Sequence, residues 1–492
     1  MNLLGGRNQA PNLSYRGESL ASENGIRRNG LTAISLGYSW LFLLGIFALL
    51  IRVAALARSD LTFQTGWDAA DYIPLALGIQ HGCGFAKFIN GHCMSAEVLR
   101  LPGYPSFIAV MPGLLSVLVI QALLGSALCV WLGLFISKHW GASAGLLGAA
   151  LLATDVPSIV YGGMIMSEAL FQFMLAGAVL LQLSAIIEDE LTVGTSGKTL
   201  AAACLFAAAA MIRPTGVVLP LFASLPLVLM KTSKWQQSIC LGLLAFAIPV
   251  AAILSWSTRN ERVAGVNSLN SDSVQVLFYY NAAGVLAYAD HLPFRTASTE
   301  LAHEIGWRGD PLETPASFNQ LMMRKSFQVF ERNPFATVIV TVRGLLLVAT
   351  VPDRNELNEM IGTNGGRPLG LPPSSNITER VERTLNSPML ASLVLIQVML
   401  ILTIWAGVFR ALLHTDWTCK IEVSCILIPL MVAFAMLACA ASPNAHARFR
   451  VPAMPFLAML AGIGWLGQRR VCATMIDRHV RTEDQRPQID II

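Results

Sequence analysis

Charge is what this sequence has least of: only 13% of its 492 residues are Asp, Glu, Lys or Arg, against about a quarter in an average soluble domain. With 54% of residues hydrophobic, a fold kept in solution by a charged surface is excluded. The charges nearly cancel, to a formal +4, so no strongly basic face is available for a phosphodiester backbone and nucleic acid is not expected as a partner. Also missing are a Gly-rich phosphate loop ending in Gly-Lys, an HExxH zinc helix, paired CxxC ligands and a nucleophile elbow. No nucleotide-sugar site and no His-rich or Cys-rich metal cluster is visible, so neither a cofactor nor a resident metal is expected. Asp68, Asp71, His92 and Glu97 are scattered acids and an imidazole in one loop, and leave a divalent ion only as an option. Internal repeats, heptads and low-complexity tracts are absent as well.

What is present is length in the apolar runs. Runs of roughly 18 or more apolar residues are long enough to cross the hydrocarbon core, and they predict ten spans: about 31–57, 114–137, 141–161, 164–187, 200–213, 215–230, 238–256, 389–411, 421–441 and 452–468. The first is too long for a signal-peptide core and lacks a small-x-small cleavage pattern, so it reads as an uncleaved span. Arg7, Arg16, Arg27 and Arg28 precede it, which places the amino terminus in the cytoplasm by the positive-inside rule. The inner connections then carry Lys138, Lys198, Lys231, Lys234, Arg410 and Lys420, and the tail carries Arg469, Arg470, Arg478, Arg481 and Arg486. The expected class is therefore an all-α polytopic membrane protein with large outer loops.

By this reading residues 1–30 form an inner tail, 31–256 a membrane module whose first outer loop is 58–112, and 257–388 a large outer region. Residues 389–468 form the last membrane helices and 469–492 an inner tail. The apolar segment 335–351 has Arg343 at its centre; such a charge costs several kcal/mol at mid-bilayer, so the segment reads as an interfacial amphipathic helix. Arg213-Pro214 separates two short pieces that would otherwise be one helix. The turn formers from Gly365 to Ser375 read as a loop.

Several outer residues are of types that carry chemistry. Asp68, Asp71 and Tyr72 stand at the opening of the first outer loop; in a helix the second and third lie at i+3 and i+4 from the first, on one face. Paired carboxylates can split their pKa values and make one a proton acceptor, or both can simply cap the following helix. Pro74 would disturb a helix already under way, so the expected helix starts later and leaves both acids on a loop. Ser167-Glu168 opens a span, where Ser caps and Glu gains from the helix dipole. Arg213 sits between an apolar run and a proline, as a functional charge or as one that snorkels, and Arg52 reads as snorkelling. Arg259 and Arg262 open the large outer region, and Arg448 and Arg450 flank Phe449 in the last outer loop. Planar guanidinium forks suit phosphate oxygens; interfacial arginines also meet anionic headgroups. Of nine cysteines, Cys83 and Cys93 are the pair that shares an outer loop, and in an oxidising compartment they can bridge across a hairpin-like turn.

Together these residues resemble a known family. Asp68 with Tyr72 and Ala76, Arg100 to Pro105, Gln121, Ser167-Glu168, Arg213-Pro214, Arg259-Asn260 with Gly265, and Ala447 to Pro452 are similar, in order and outer placement, to positions of bacterial GT-C glycosyltransferases. That family includes protein mannosyltransferases and aminoarabinose lipid A transferases. The resemblance implies a GT-C-like fold in the bacterial inner membrane, with an active site facing the periplasm. It implies a polyprenyl-phosphate-linked sugar donor, membrane lipids around it, and a lipid, glycan or protein acceptor. It implies catalytic roles for Asp68, Asp71 and Glu168, with Asp68 as the base, and donor-binding roles for Tyr72, Arg100, Arg213, Arg259, Arg448 and Arg450. A transporter or flippase would favour inverted repeats and mid-membrane ligands; that class and a polysaccharide polymerase are the rival readings.

Overall fold

The computed structural model describes residues 39–468, apart from 60, 67, 189, 226–234, 310–313, 353–356, 358, 359, 361–386 and 444. The amino-terminal arginines, Lys231, Lys234, the 365–375 stretch and the basic tail lie outside the described residues.

Apolar helices dominate, as runs without internal charge must when no water is present to satisfy their backbone groups. Among the described residues eight are long and apolar enough to cross a membrane: α1 Ser39–Arg58, α4 Leu114–Trp140, α7 Glu168–Glu188, α8 Val193–Ile212, α10 Trp235–Ala264, α16 Pro388–His414, α17 Lys420–Cys439 and the helical stretch Ala447–Leu466. A ninth expected span is a broken one, α5 Ala142–Ala153 and α6 Val156–Gly162, bent by 51°. The break falls where Asp155 takes the N-cap of α6, accepting from the Ser158 backbone N–H at 3.0 Å. After Arg213 and Pro214 the described residues form a short apolar helix, α9 Pro214–Ala223; residues 226–230 of the expected 215–230 span lie outside the described residues. The chain is thus an all-α polytopic membrane protein.

The bundle packs through small residues, which let helix backbones approach closely. A Cβ at Gly464 would stand 1.9 Å from the Gly407 carbonyl oxygen, and one at Gly145 would stand 2.4 Å from that of Gly133. Arg52, expected to snorkel, is instead 4% exposed and donates to Ala48 O at 3.1 Å in its own helix, beside Gly125 of α4. A glycine at that point leaves room for the guanidinium between the two helices.

Outside the spans, α2 Ala69–Gln80 leads into an antiparallel hairpin, β1 Ala86–Ile89 and β2 His92–Ala96. Its turn uses Asn90 and Gly91, both at positive φ. The hairpin is an addition to the all-α expectation. Cys83 and Cys93 are joined by a disulfide across its base, with Cα atoms 5.6 Å apart. α3 Gly103–Ala109 follows. A second, separate core lies in the large outer region, built from α11 Ser271–Val276, α12 Ala283–Ala289, α13 Phe294–Glu304 and α14 Asn319–Arg332 around Phe278, Tyr279, Leu301 and Met322. From α14 the chain turns by 105° into α15 Pro334–Thr350, where Arg343 is exposed. The far end of α15 meets the bundle: Trp405 Nε1 of α16 donates to Ala349 O at 3.1 Å.

Candidate functional site

The site lies where four separate pieces of chain end together: the start of α2, the segment before α3, the α7 start with the α8 end, and the turn that opens the last span. Contrary to the expectation from Pro74, α2 begins at Ala69 and carries this proline inside it. Asp71 therefore sits in the first helical turn, and Asp68 at the N-cap position. Asp68 makes no side-chain cap bond. Its carboxylate turns away to two arginines, which removes capping as the reason for the residue.

An alternating chain of charges results. Arg213 Nη1 lies 2.6 Å from Glu168 Oε1, and Arg448 joins Glu168 Oε1 through Nε and Asp68 Oδ2 through Nη2. Arg100 Nη2 stands 2.9 Å from both Asp68 Oδ1 and Asp71 Oδ2. Lys87 of the hairpin reaches Asp71 Oδ1 at 2.5 Å and Glu97 Oε2 at 3.7 Å. Glu168 is fully buried, and its second oxygen, Oε2, has no hydrogen-bond partner among the described residues. Buried charges persist only when paired this closely.

The environment sets the protonation states of the loop residues. Burial alone would raise the Asp68 carboxyl, but the positive charges of Arg448 and Arg100 outweigh it and hold it well below the usual carboxylate range. Asp71 is lowered likewise, burial being overcome by Arg100 and Lys87. Burial and then the charge of Asp68 push the Tyr72 phenol up to about 12. Its ring packs edge-on against Tyr104 at 4.9 Å, and the Arg100 guanidinium stands 5.5 Å above it. Tyr104 in turn donates to Gln121 Oε1 at 2.6 Å, and Gln121 Nε2 donates to Met164 O at 2.8 Å and Gly162 O at 3.1 Å. These bonds fix the floor of the site to α4 and to the chain ahead of α7.

Asp68, Asp71, Tyr72, Arg100, Glu168, Arg213 and Arg448 are therefore brought together. Two grouped with them by sequence are not. Arg450 is 1% exposed and donates to Val348 O at 3.0 Å and Val351 O at 3.1 Å, at the end of α15. Arg259 donates to the carbonyls of Glu97 and Phe85 and stands over the rings of Trp256 at 4.9 Å and Phe85 at 5.6 Å. It clamps the loop that carries Arg100. The neighbouring Asn260 Nδ2 donates to Leu269 O at 2.9 Å and Ser268 O at 3.1 Å, binding the outer region to the same clamp.

Sequence reasoning missed Lys87 and Asp272. Asp272 Oδ1 is 3.7 Å from Arg100 Nη1. The signal in its neighbourhood, Asn-Ser-Asp-Ser at 270–273, reads as a helix start and does not point to a site. Among the described residues no group of three or more His, Cys, Asp or Glu side chains is arranged to hold a metal ion. Arg100 bridges Asp68 and Asp71.

The sequence matches no family model and no curated protein. Solved structures do resemble the fold. The apo oligosaccharyltransferase of Archaeoglobus fulgidus is 12% identical over 90% of this chain, with a TM-score of 0.46; the alignment covers 52% of that chain, so this protein spans about half its length. ArnT from Cupriavidus metallidurans bound to undecaprenyl phosphate is 14% identical over 92% of this chain and 81% of its own, with a TM-score of 0.38.

Proposed function

We propose that this protein is a membrane glycosyltransferase that moves a sugar from a polyprenyl-phosphate carrier to an acceptor on the outer face of the bacterial cytoplasmic membrane. The observation that carries this reading is the meeting of Arg100, Arg213 and Arg448 with Asp68 and Glu168 at one end of the bundle. Breaking a bond from sugar to phosphate leaves charge on the phosphate, which guanidiniums stabilise when already in place. Arg448 and Arg100 are the phosphate ligands, with Arg213 beside them. Asp68 is the base: it takes the proton of the acceptor hydroxyl as that oxygen attacks the anomeric carbon, and polyprenyl phosphate departs. In the structure both Asp68 oxygens are held by arginines, which keeps it a weak base. A donor phosphate that draws those guanidiniums to itself returns basicity to Asp68 when there is a sugar to transfer.

The test is transfer of labelled sugar from polyprenyl-phosphate donors by purified protein in lipid. Asp68→Asn should keep donor binding and lose roughly a hundredfold or more of the rate, the usual size of a general-base contribution. Full activity of both Asp68→Asn and Asp71→Asn would overturn the carboxylate mechanism.

A further inference from the structure

Asp272 differs from the other acids of the cluster. Each oxygen of Asp68 and Asp71 has a cation within hydrogen-bond reach, Glu168 is sealed from solvent, and Glu97 Oε1 accepts from the backbone N–H groups of Val98 and Leu99 at 2.8 and 2.6 Å. Asp272 meets Arg100 only at 3.7 Å, too far for a hydrogen bond, and keeps 32% of its side chain accessible. That is more than Asp71 at 22%, Asp68 at 18% or Glu97 at 14%.

Its backbone, by contrast, is held from several sides. The Ser271 N–H donates to Val98 O at 2.9 Å, and Asn270 Nδ2 donates to Leu99 O at 3.1 Å. Asn319 Nδ2 donates to Ser271 Oγ at 2.9 Å, and Asn260 braces Leu269 and Ser268 from behind. The outer region is thereby fastened to the two residues before Arg100, and delivers beside it an acid whose carboxylate makes no hydrogen bond among the described residues. A functional group held by its supports and left open at its tip is how binding residues are presented. Next along the chain a π-helical stretch, Leu277–Ala282, places the Tyr280 ring in a stacked contact with Phe294, centroids 6.2 Å apart. Such bulges recur at functional sites. Burial and then the negative charge of Asp272 raise the Tyr280 phenol.

We propose that Asp272 is the acceptor-side carboxylate of the site: it receives hydrogen bonds from the hydroxyls of a neutral, hydroxyl-rich acceptor, a sugar or polyol, and turns the attacking oxygen toward Asp68. This rests on the glycosyltransferase reading and names its acceptor class. Asp272 gains and loses no covalent bond. The proton passes from the acceptor hydroxyl to Asp68, the oxygen bonds to the anomeric carbon, and the electron pair of the broken bond leaves on the phosphate. A carboxylate in this place selects against anionic acceptors by repulsion.

A structural role and this one differ in stability. Although its tip reaches solvent, the protein packed around the Asp272 carboxyl raises it, with Arg100 offsetting part of the rise and Asp68 adding to it. An acid raised in the folded state costs stability while ionised, so at neutral pH Asp272→Asn removes a cost. The experiment measures steady-state transfer to hexyl glucoside and to its anionic counterpart hexyl glucuronide, from whichever labelled undecaprenyl-phosphate hexose the wild type uses, with farnesyl phosphate binding and melting followed in parallel. For Asp272→Asn the KM for hexyl glucoside should rise roughly tenfold or more, the loss expected when hydrogen bonds to a charged group go. Farnesyl phosphate affinity and donor KM should stay near wild type, the melting temperature should not fall, and discrimination against hexyl glucuronide should shrink. Asp272→Glu should recover part of the acceptor KM. An unchanged acceptor KM, or a variant that melts lower while donor and acceptor KM rise together, would overturn the assignment. Absence of turnover by the wild type with every donor would instead remove the underlying reading, and this inference with it.

Discussion

Glu168 is a full negative charge with no exposed surface, tolerated because Arg213 and Arg448 both close on one of its oxygens. Removing one partner from a buried ion network leaves the others uncompensated, at about 3–5 kcal/mol. Glu168→Gln should therefore lower the melting temperature sharply in lipid or detergent, and Arg213→Met should restore part of it. A drop below about 1 kcal/mol would show that water or lipid headgroups, not Glu168, neutralise these arginines. Most members of this network stood out as residues, but helix-dipole stabilisation accounts for an acid opening a span and snorkelling for an arginine beside a proline, so the sequence alone did not bring them together. The errors have a geometric cause. Arg448 and Arg450 lie in a 3-10 turn, Ala447–Ala453, and at about three residues per turn side chains two positions apart diverge. One joins Asp68 and the other turns to the end of α15. Asp272 escaped because its pairing with Arg100 spans 172 residues, from position 100 to 272, which no local pattern records.

α2 and the hairpin behave as one unit, because Gly78 brings them together. A Cβ at Gly78 would stand 1.8 Å from the Ala86 carbonyl oxygen, so backbone lies on backbone where the hairpin leaves the helix. Replacing a helical glycine with alanine ordinarily gains about 0.4–1 kcal/mol; here the sign should reverse. Gly78→Ala should push β1 away, carry Lys87 off Asp71, and lower both thermal stability and transfer rate, while expression and insertion continue. A variant as stable and active as wild type would mean that the hairpin docks otherwise. This element was only half legible. Cys83, Cys93 and the turn formers between them announce a tight loop, but its strands are short and one is exposed throughout, so no alternation of apolar and polar residues marks them as β. Pro74 misled for a related reason: proline preference predicts a break, and the packing of Tyr72, Leu75 and Ala76 into the core overrides it.

At the scale of the whole chain, the ion pairs constrain topology independently of charge counting. Asp68 follows α1, Glu168 begins α7, Arg213 ends α8 and Arg448 begins the last span, and direct contacts among them place all four on one side of the bundle. The positive-inside rule, applied to loops alone, assigns these same four ends to one side, and calls it the outside. The apolar runs made the long spans legible; α15 was less so, because its apolar length is close to that of a span. Arg343 separates the two accounts of α15. If that helix crossed the membrane, the parity of every later segment would invert, and the start of the last span, with Arg448, would lie opposite Asp68. The pairing of Arg448 with Asp68 forbids this. Reporter fusions after Arg343, Pro352 and Arg470 should therefore read outside, outside and inside, with both termini cytoplasmic. An internal signal after Pro352 together with an external one after Arg470 would make α15 a crossing, which this arrangement of charges does not permit, and the shared site would have to be abandoned.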